Sequence, residues 1–191
     1  MKGIIIYKGK YGATRQYARW LGDELYLPIT DSDDINKTLL TNYDFLVVGS
    51  SVYIGKMLLK GWLRNNVAAI QGKKIFLFMV SGTPPDKKEK LERYVQASVP
   101  AEIRNSCEMF FLPGRLIIKS LSWLDRLLLK MGAKLTRDPN EKKEILTEYD
   151  DVKKENLEEI KAAVNKFCSG KTLKEEKITL KEKNINKIIS D

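Results

Sequence analysis

The chain has 191 residues, 43% of them hydrophobic, which suits one folded domain better than two. It contains no histidine, and this excludes Ser-His-Asp catalysis, Cys-His catalysis and histidine-ligated metal sites. The formal net charge of +9 favours an anionic partner, such as an acidic ligand, an acidic membrane surface or nucleic acid. Cys107 and Cys168 lie too far apart for metal-binding or redox spacing, so we interpret both as incidental thiols.

The first residues lead straight into a strand pattern, without the apolar segment and cleavage site of a secretory signal. No apolar run approaches the roughly 20 residues that a transmembrane helix needs. We therefore expect a cytoplasmic protein.

Short apolar runs alternate with helical patterns along most of the chain. The run Gly3–Tyr7 has three consecutive isoleucines, as expected of a strand buried on both faces of a parallel sheet. Further strands are predicted near Tyr26–Ile29, Tyr43–Gly49, Lys74–Val80 and Cys107–Leu112. Helical spacing predicts helices over Arg15–Leu25, Met57–Ile70, Asp86–Ala97 and Tyr149–Phe167. This alternation predicts a three-layer α/β/α fold around a five-stranded parallel sheet.

The segment after the fifth predicted strand differs from the rest in pattern and charge. Apolar residues recur at helical spacing from Leu116 to Met131, which predicts an amphipathic helix. From Arg115 to Arg137 there are six basic residues and one acidic residue, a net charge of +5. We interpret 115–137 as an insertion into a domain spanning 1–170, and 171–191 as a charged tail that is solvated or weakly ordered.

Three loops follow predicted strands at the carboxyl edge of the sheet, where open parallel sheets bind their ligands. The first, Gly9–Thr14, combines glycines, a threonine hydroxyl and a helix N-terminus, which together suit a phosphate. A plain strand-to-helix turn is the alternative interpretation of this loop. The second, Ser50–Gly55, can present Tyr53 and backbone groups to a flat ring, and the third, Ser81–Pro85, is the least specific.

The first two loops resemble those of flavodoxins. The run from Ile6 to Thr14 resembles the flavodoxin phosphate loop, and Gly49–Gly55 resembles the second flavin loop. The resemblance covers Met1 to about Phe167 and implies a flavodoxin-like fold that binds FMN. We nominate as cofactor-binding residues Gly9, Lys10, Tyr11, Gly12, Ala13, Thr14, Ser50, Ser51, Val52, Tyr53, Ile54, Gly55, Ser81, Gly82 and Thr83. We nominate no metal ligand and no catalytic side chain.

The phosphate loop departs from the flavodoxin pattern at two positions. Gly9 stands where flavodoxins usually have Ser or Thr, and Ala13 stands where Asn is common. Two side-chain contacts to the phosphate would therefore be absent. We expect Lys10 to replace them in part through its charge.

A second resemblance concerns the insertion. Trp123-Leu124-Asp125-Arg126, Lys130-Met131-Gly132 and Thr136-Arg137-Asp138 resemble the signature of menaquinone-dependent protoporphyrinogen oxidases, flavodoxin-like enzymes of haem synthesis. The resemblance implies an FMN-dependent oxidoreductase that passes electrons from a tetrapyrrole through FMN to menaquinone. The basic helix would then lie on the inner face of the cell membrane or bind substrate carboxylates, unless it simply packs on the sheet.

Three other functions stay open on the sequence. The main alternative is a basic flavodoxin acting as a non-enzymatic FMN electron carrier, although flavodoxins that act as soluble shuttles are typically acidic. A flavin-free interaction module would keep the fold without the cofactor. Nucleic-acid binding is the least favoured, because the basic residues alternate with aliphatic rather than with stacking aromatic side chains.

Overall fold

The computed structural model describes residues 1–136 and 138–170, apart from the side chains of residues 140, 141 and 144. The predicted tail, 171–191, and Arg137 lie outside the described residues.

Five parallel strands form the main sheet. In chain order the strands are β1 (Gly3–Lys8), β2 (Ile29–Asp31), β3 (Phe45–Tyr53), the two-residue β4 (Lys56–Met57), β5 (Lys74–Ser81) and β6 (Cys107–Pro113). The parallel strands are ordered β2-β1-β3-β5-β6, while β4 folds back antiparallel on β3. This order confirms the predicted flavodoxin-like architecture. From β1 the chain first adds β2 on one side of the sheet and then β3, β5 and β6 on the other, so the strand order switches between β1 and β3. Open parallel sheets bind ligands at such a switch point.

Eight helices are described. They are α1 (Ala13–Leu25), α2 (Lys37–Leu40), α3 (Lys60–Ile70), α4 (Lys88–Ser98), α5 (Ala101–Arg104), α6 (Trp123–Leu135), α7 (Pro139–Leu146) and α8 (158–170). Strand side chains alternate between the two faces, so that Ile5 packs on one side of the sheet and Ile6 on the other. The Ile5 face is covered by α1 and α8, and the Ile6 face by α3 and α4. Each face therefore has its own apolar core.

Two predicted strands differ by more than one residue from their bounds in the structure. β2 begins at Ile29 rather than at Tyr26, because Tyr26 ends α1 in a left-handed conformation with φ 54°. β3 continues to Tyr53, so most of the predicted second loop is strand. The connection that remains is a tight turn at Ile54 and Gly55, both with positive φ.

The chain after β6 forms a compact appendage that we call the cap, residues 115–150. Its first and last residues pair antiparallel as β7 (Arg115–Leu116) and β8 (Tyr149–Asp150), with α6 and α7 between them. The prediction of one helix starting at Leu116 is wrong, because α6 begins at Trp123, where the Ser122 hydroxyl accepts a hydrogen bond from the Asp125 backbone N–H at 3.2 Å. The predicted closing helix likewise starts later, at residue 158 after a short 3-10 turn.

Candidate functional site

The loop after β1 crosses the carboxyl edge of the sheet at the reversal of strand order. Gly12 adopts φ 86° and precedes the first turn of α1, a conformation that favours glycine. Gly9 is also required by packing, since a Cβ there would lie 2.8 Å from the Thr14 Cβ. The departure from the flavodoxin pattern at position 9 thus has a local cause: Thr14 occupies the space that a side chain would need.

A small cavity of about 100 Å³ opens between this loop and its neighbours. Two of its hydroxyls, Thr14 Oγ1 and Ser51 Oγ, are buried and make no hydrogen bond within the part of the chain that the structure describes. Burying a hydroxyl without a hydrogen-bond partner costs free energy. Two such hydroxyls at one cavity therefore usually mark the position of a ligand or a water molecule. The cavity is lined by Lys10, Tyr11, Ala13, Thr14, Ser51, Val52, Tyr53, Val80, Ser81, Gly82, Gly114 and Arg115.

Lys10, Tyr11 and Tyr53 do not point freely into this cavity, because all three bind the carboxylate of Asp125. The Lys10 Nζ lies 2.7 Å from Asp125 Oδ2, and the Tyr53 hydroxyl donates to Oδ1 at 2.6 Å. The Tyr11 hydroxyl donates to Oδ2. Asp125 is only 6% exposed, so one buried carboxylate connects α6 to the loop after β1 and to the end of β3. We call these four side chains the Asp125 cluster.

The charge of Lys10 is therefore matched inside the protein. Its hydrogen bond to Asp125 raises the pKa of the ammonium above its ordinary value of 10.5, against the opposing effect of desolvation. The same ammonium lies 4.1 Å from the centroid of the Tyr53 ring. Lys10, for which the sequence predicts a partial charge contribution to phosphate binding, lines the small cavity with its ammonium paired to Asp125 of α6.

The nominated residues of the second loop fall into separate environments. Ser51, Val52 and Tyr53 line the small cavity. Ser50, however, is completely buried, and its hydroxyl accepts a hydrogen bond from the Leu59 N–H at 3.1 Å. Its role in the structure is to hold the start of α3, and it does not line the cavity. Ile54 and Gly55 form the β3–β4 turn, where Ile54 is 70% exposed.

The third loop separates the small cavity from a larger one of about 730 Å³. Ser81 ends β5, and its hydroxyl accepts a hydrogen bond from the Thr83 N–H at 3.2 Å. A Cβ at Gly82 would lie 2.2 Å from the hydroxyl oxygen of Tyr149, so a larger residue there would displace the Tyr149 side chain. Both cavities reach Ser81, Gly82 and Gly114, so they are neighbours at the same sheet edge.

The cap forms the far wall of the larger cavity. Lys143 and Thr147 line it from α7 and the residue after that helix, and Tyr149 lines it from β8. Burial raises the pKa of the Tyr149 phenol, which is therefore neutral and available as a hydrogen-bond donor. The volume lies within the usual range of about 300–1,000 Å³ for small-molecule sites. The sequence motifs did not point to Lys143, Thr147 or Tyr149 because all three reach this edge only through the folding of the cap.

Arg115 and Gly114 were also missed as site residues, although a positional signal existed. They directly follow β6, just as the nominated loops follow β1, β3 and β5. The sequence pattern instead places Arg115 among the basic residues of the predicted amphipathic helix. Its position in the structure is at the small cavity, 3.4 Å from Asp150 and apart from α6.

Other classes of site find no support in the described residues. Within residues 1–136 and 138–170 there is no group of three or more Cys, Asp or Glu side chains placed to hold a metal ion. Burial raises the pKa of the Cys107 thiol to about 11, which leaves it protonated and unreactive at neutral pH. In the same part of the chain, no helix is both long and apolar enough to cross a bilayer.

Comparison with known proteins places the chain in a family. Residues 4–143 match the family model of the flavodoxin domain, and the chain belongs to that family. It is also 31% identical over 85 residues to an uncharacterized protein from Methanocaldococcus jannaschii. That match covers 44% of this chain and 57% of the relative, a little more than half of the relative's length.

Solved structures similar to this chain include flavodoxins and a reductase. A flavodoxin from the domain Archaea is 20% identical, with a TM-score of 0.42 over 59% of this chain and 85% of that chain. Flavodoxin from Megasphaera elsdenii is 13% identical, with a TM-score of 0.44 over 58% and 85%. A protein described as an NADPH-quinone reductase from P. pentosaceus is 14% identical, with a TM-score of 0.45 over 72% and 99%.

FMN is the cofactor that membership of the flavodoxin family supports, as the sequence predicts. The small cavity fits the phosphate of this cofactor on its own chemistry. It offers two unpartnered hydroxyls, Thr14 and Ser51, beside the N-terminus of α1, where backbone N–H groups and the helix dipole favour an anion.

Proposed function

We propose that this protein is an FMN-dependent oxidoreductase similar to the menaquinone-dependent protoporphyrinogen oxidases, which passes electrons from a tetrapyrrole to a quinone. The observation that carries the proposal is the cavity of about 730 Å³ beside the cofactor cavity, walled by the cap. An electron carrier needs an accessible flavin edge, whereas an enzyme also needs space for a substrate next to its cofactor. Here the cap provides that space.

The residues around the two cavities would divide the work. Thr14, Ser51 and the N-terminus of α1 would hold the phosphate of FMN, with the backbone of Gly82 and Thr83 nearby for the rest of the molecule. The bound flavin supplies the hydride and electron transfer. The protein contributes position and a local environment, and no side chain here needs to act as a general base.

The larger cavity combines apolar walls with polar groups of both charges. Its walls include Pro84, Pro85 and Pro113, while Lys143 offers a cation, Asp151 a carboxylate and Tyr149 a neutral hydroxyl. Apolar walls with a few polar groups are the usual composition of sites for large organic ligands. The substrate class itself rests on the resemblance of the Trp123–Arg126 and Lys130–Gly132 segments to protoporphyrinogen oxidases.

The outer face of α6 supports contact with the membrane that contains the quinone. Trp123 and Leu135 are 69% and 80% exposed, and Leu124, Leu127, Leu128 and Met131 are also exposed. Arg126, Lys130 and Lys134 lie on the same helix. Exposed apolar side chains among basic residues are typical of helices that lie on anionic membranes.

Reconstitution with FMN followed by an assay of protoporphyrinogen oxidation tests this function directly. We expect oxidation that depends on both FMN and an added menaquinone analogue. The absorbance of the oxidised tetrapyrrole measures it. An FMN-loaded protein that exchanges electrons with a flavodoxin reductase but leaves protoporphyrinogen unchanged would contradict the proposal and favour the electron carrier. A colourless protein that takes up no FMN would contradict both.

A further inference from the structure

Arg115 lies at the small cavity in a constrained position. Its guanidinium donates a hydrogen bond to Gln16 Oε1 on the first turns of α1, and its Nε lies 3.4 Å from Asp150 Oδ1. That Nε is nevertheless buried and makes no hydrogen bond in the described part of the chain, because its ion pair with Asp150 lacks hydrogen-bond geometry. Thr14 and Ser51, which line the same cavity, also carry buried hydroxyls without partners.

Three residues from separate elements, each with a buried polar atom that makes no hydrogen bond in the described part of the chain, therefore line one cavity. They come from α1, from β3 and from the start of the cap. Thr14 is 1% exposed, so its hydroxyl has no access to bulk water. Buried polar groups are normally paired. A ligand rich in oxygen in this cavity would accept hydrogen bonds from the two hydroxyls and from the guanidinium.

The balance of charge at the cavity points to the same ligand. Two basic side chains line it, Lys10 and Arg115. Lys10 is committed to the buried Asp125 at 2.7 Å. The ion pair of Arg115 with Asp150 is longer, 3.4 Å from Nε to Oδ1, and the Asp150 side chain is 47% exposed. Water therefore satisfies Asp150 and leaves the guanidinium able to bind a second anion.

We propose that Arg115 is the cationic side chain that binds the phosphate of FMN, an inference that rests on the proposed FMN binding. Arginine suits this role because its planar guanidinium presents several N–H donors to phosphate oxygens. Gln16 and Asp150 hold the group in place, which lowers the entropy lost on binding. Arg115 thereby compensates for the phosphate contacts that Gly9 and Ala13 do not provide.

The test compares two ligands that differ only in the phosphate. Full-length protein stripped of flavin would be titrated with FMN and with riboflavin, and binding followed by quenching of flavin fluorescence. We expect Arg115→Gln to weaken FMN binding roughly 10- to 100-fold, since hydrogen bonds to a charged group are involved. Riboflavin binding should change less than about twofold, because riboflavin has no phosphate.

Two further variants separate the proposed contact from other effects of charge and folding. Lys119→Gln removes one positive charge from an exposed position of the cap and should leave both affinities unchanged. Arg115→Lys keeps the charge and the aliphatic stem, and should show an intermediate loss of FMN affinity with normal riboflavin binding. A thermal unfolding curve for each variant checks that the domain is folded.

The outcomes are distinct. Equal losses for FMN and riboflavin in Arg115→Gln would show that the residue acts on the fold or on the ring, and would overturn the proposal. Unchanged FMN binding in that variant would overturn it as well. Wild-type protein that binds neither flavin would contradict the proposed FMN-dependent function itself. The flavin affinities of the variants do not depend on whether any substrate is oxidised.

Discussion

The main sheet and the cap are stabilised in different ways. Ile5, Val47 and Phe76, on three adjacent strands, are all fully buried, and the helices on both faces add further apolar burial. In α6 only Asp125 and Ala133 are buried, while most of its large apolar side chains are exposed. The sheet is therefore held mainly by the hydrophobic effect, and α6 by the Asp125 cluster.

This difference links the position of the cap to the small cavity. Lys10 and Tyr11 belong to the loop after β1, and Tyr53 ends β3, yet all three bind a carboxylate of α6. The position of α6 thus depends on three side chains that line the small cavity, whereas most apolar core residues of the sheet do not line it. Substitutions in the two regions should consequently affect different properties.

The largest effect is expected in the core. Phe76→Ala removes a fully buried ring that makes edge contacts with Phe45 and Phe167, at centroid distances of 6.1 and 5.8 Å. We expect it to lower the free energy of unfolding by about 3–5 kcal/mol, as measured by chemical denaturation. The control is Leu128→Ala on the exposed face of α6, where the change should be under about 0.5 kcal/mol. Similar losses for both would contradict the comparison.

A smaller and more local effect is expected at the cap. Asp125→Ala leaves the hydroxyls of Tyr11 and Tyr53 without their acceptor, and we expect a loss of about 1–3 kcal/mol in the docking of α6. Limited proteolysis should then cut within 115–150 much faster. Asp125→Asn keeps an acceptor for the tyrosines and should show an intermediate rate.

Cys107 provides an independent measure of the core in the same variants. Its thiol lies on β6 and is protonated at neutral pH, so it should react with iodoacetamide mainly when the sheet opens. In a Cys168→Ser background, Asp125→Ala should leave this labelling rate unchanged. Faster labelling would mean that the cap and the sheet open together, which would contradict their separate stabilisation.

The sequence predicts the sheet well because its signals are local. Runs such as Gly3–Tyr7 and Lys74–Val80 are apolar enough to indicate buried strands without any knowledge of tertiary contacts. The loop after β1 is likewise predicted by its position between a strand and a helix, and its binding of a phosphate stays a prediction. The Asp125 cluster could not be predicted in this way, because Asp125 and its tyrosine partners are 72 and 114 residues apart in sequence.

The second loop shows how one wrong boundary changes a site. The prediction ends the third strand at Gly49, so Ser50 and Ser51 appear as equivalent loop residues. Because β3 continues to Tyr53, successive side chains point to opposite faces. Ser50 therefore accepts a hydrogen bond from the Leu59 N–H, and of the two serines only Ser51 lines the small cavity.

The smallest effect concerns the turn that ends this strand. Ile54 adopts φ 46°, a left-handed conformation that is unfavourable for a β-branched residue. Ile54→Asn should stabilise the flavin-free protein by about 1 kcal/mol in chemical denaturation, since asparagine tolerates this conformation, whereas Ile54→Val should not. Destabilisation by Ile54→Asn would mean that apolar contacts outweigh the strain. A stabilised variant with weaker FMN binding would instead show that the strained isoleucine is kept for the ligand, because strain of this kind concentrates at functional sites.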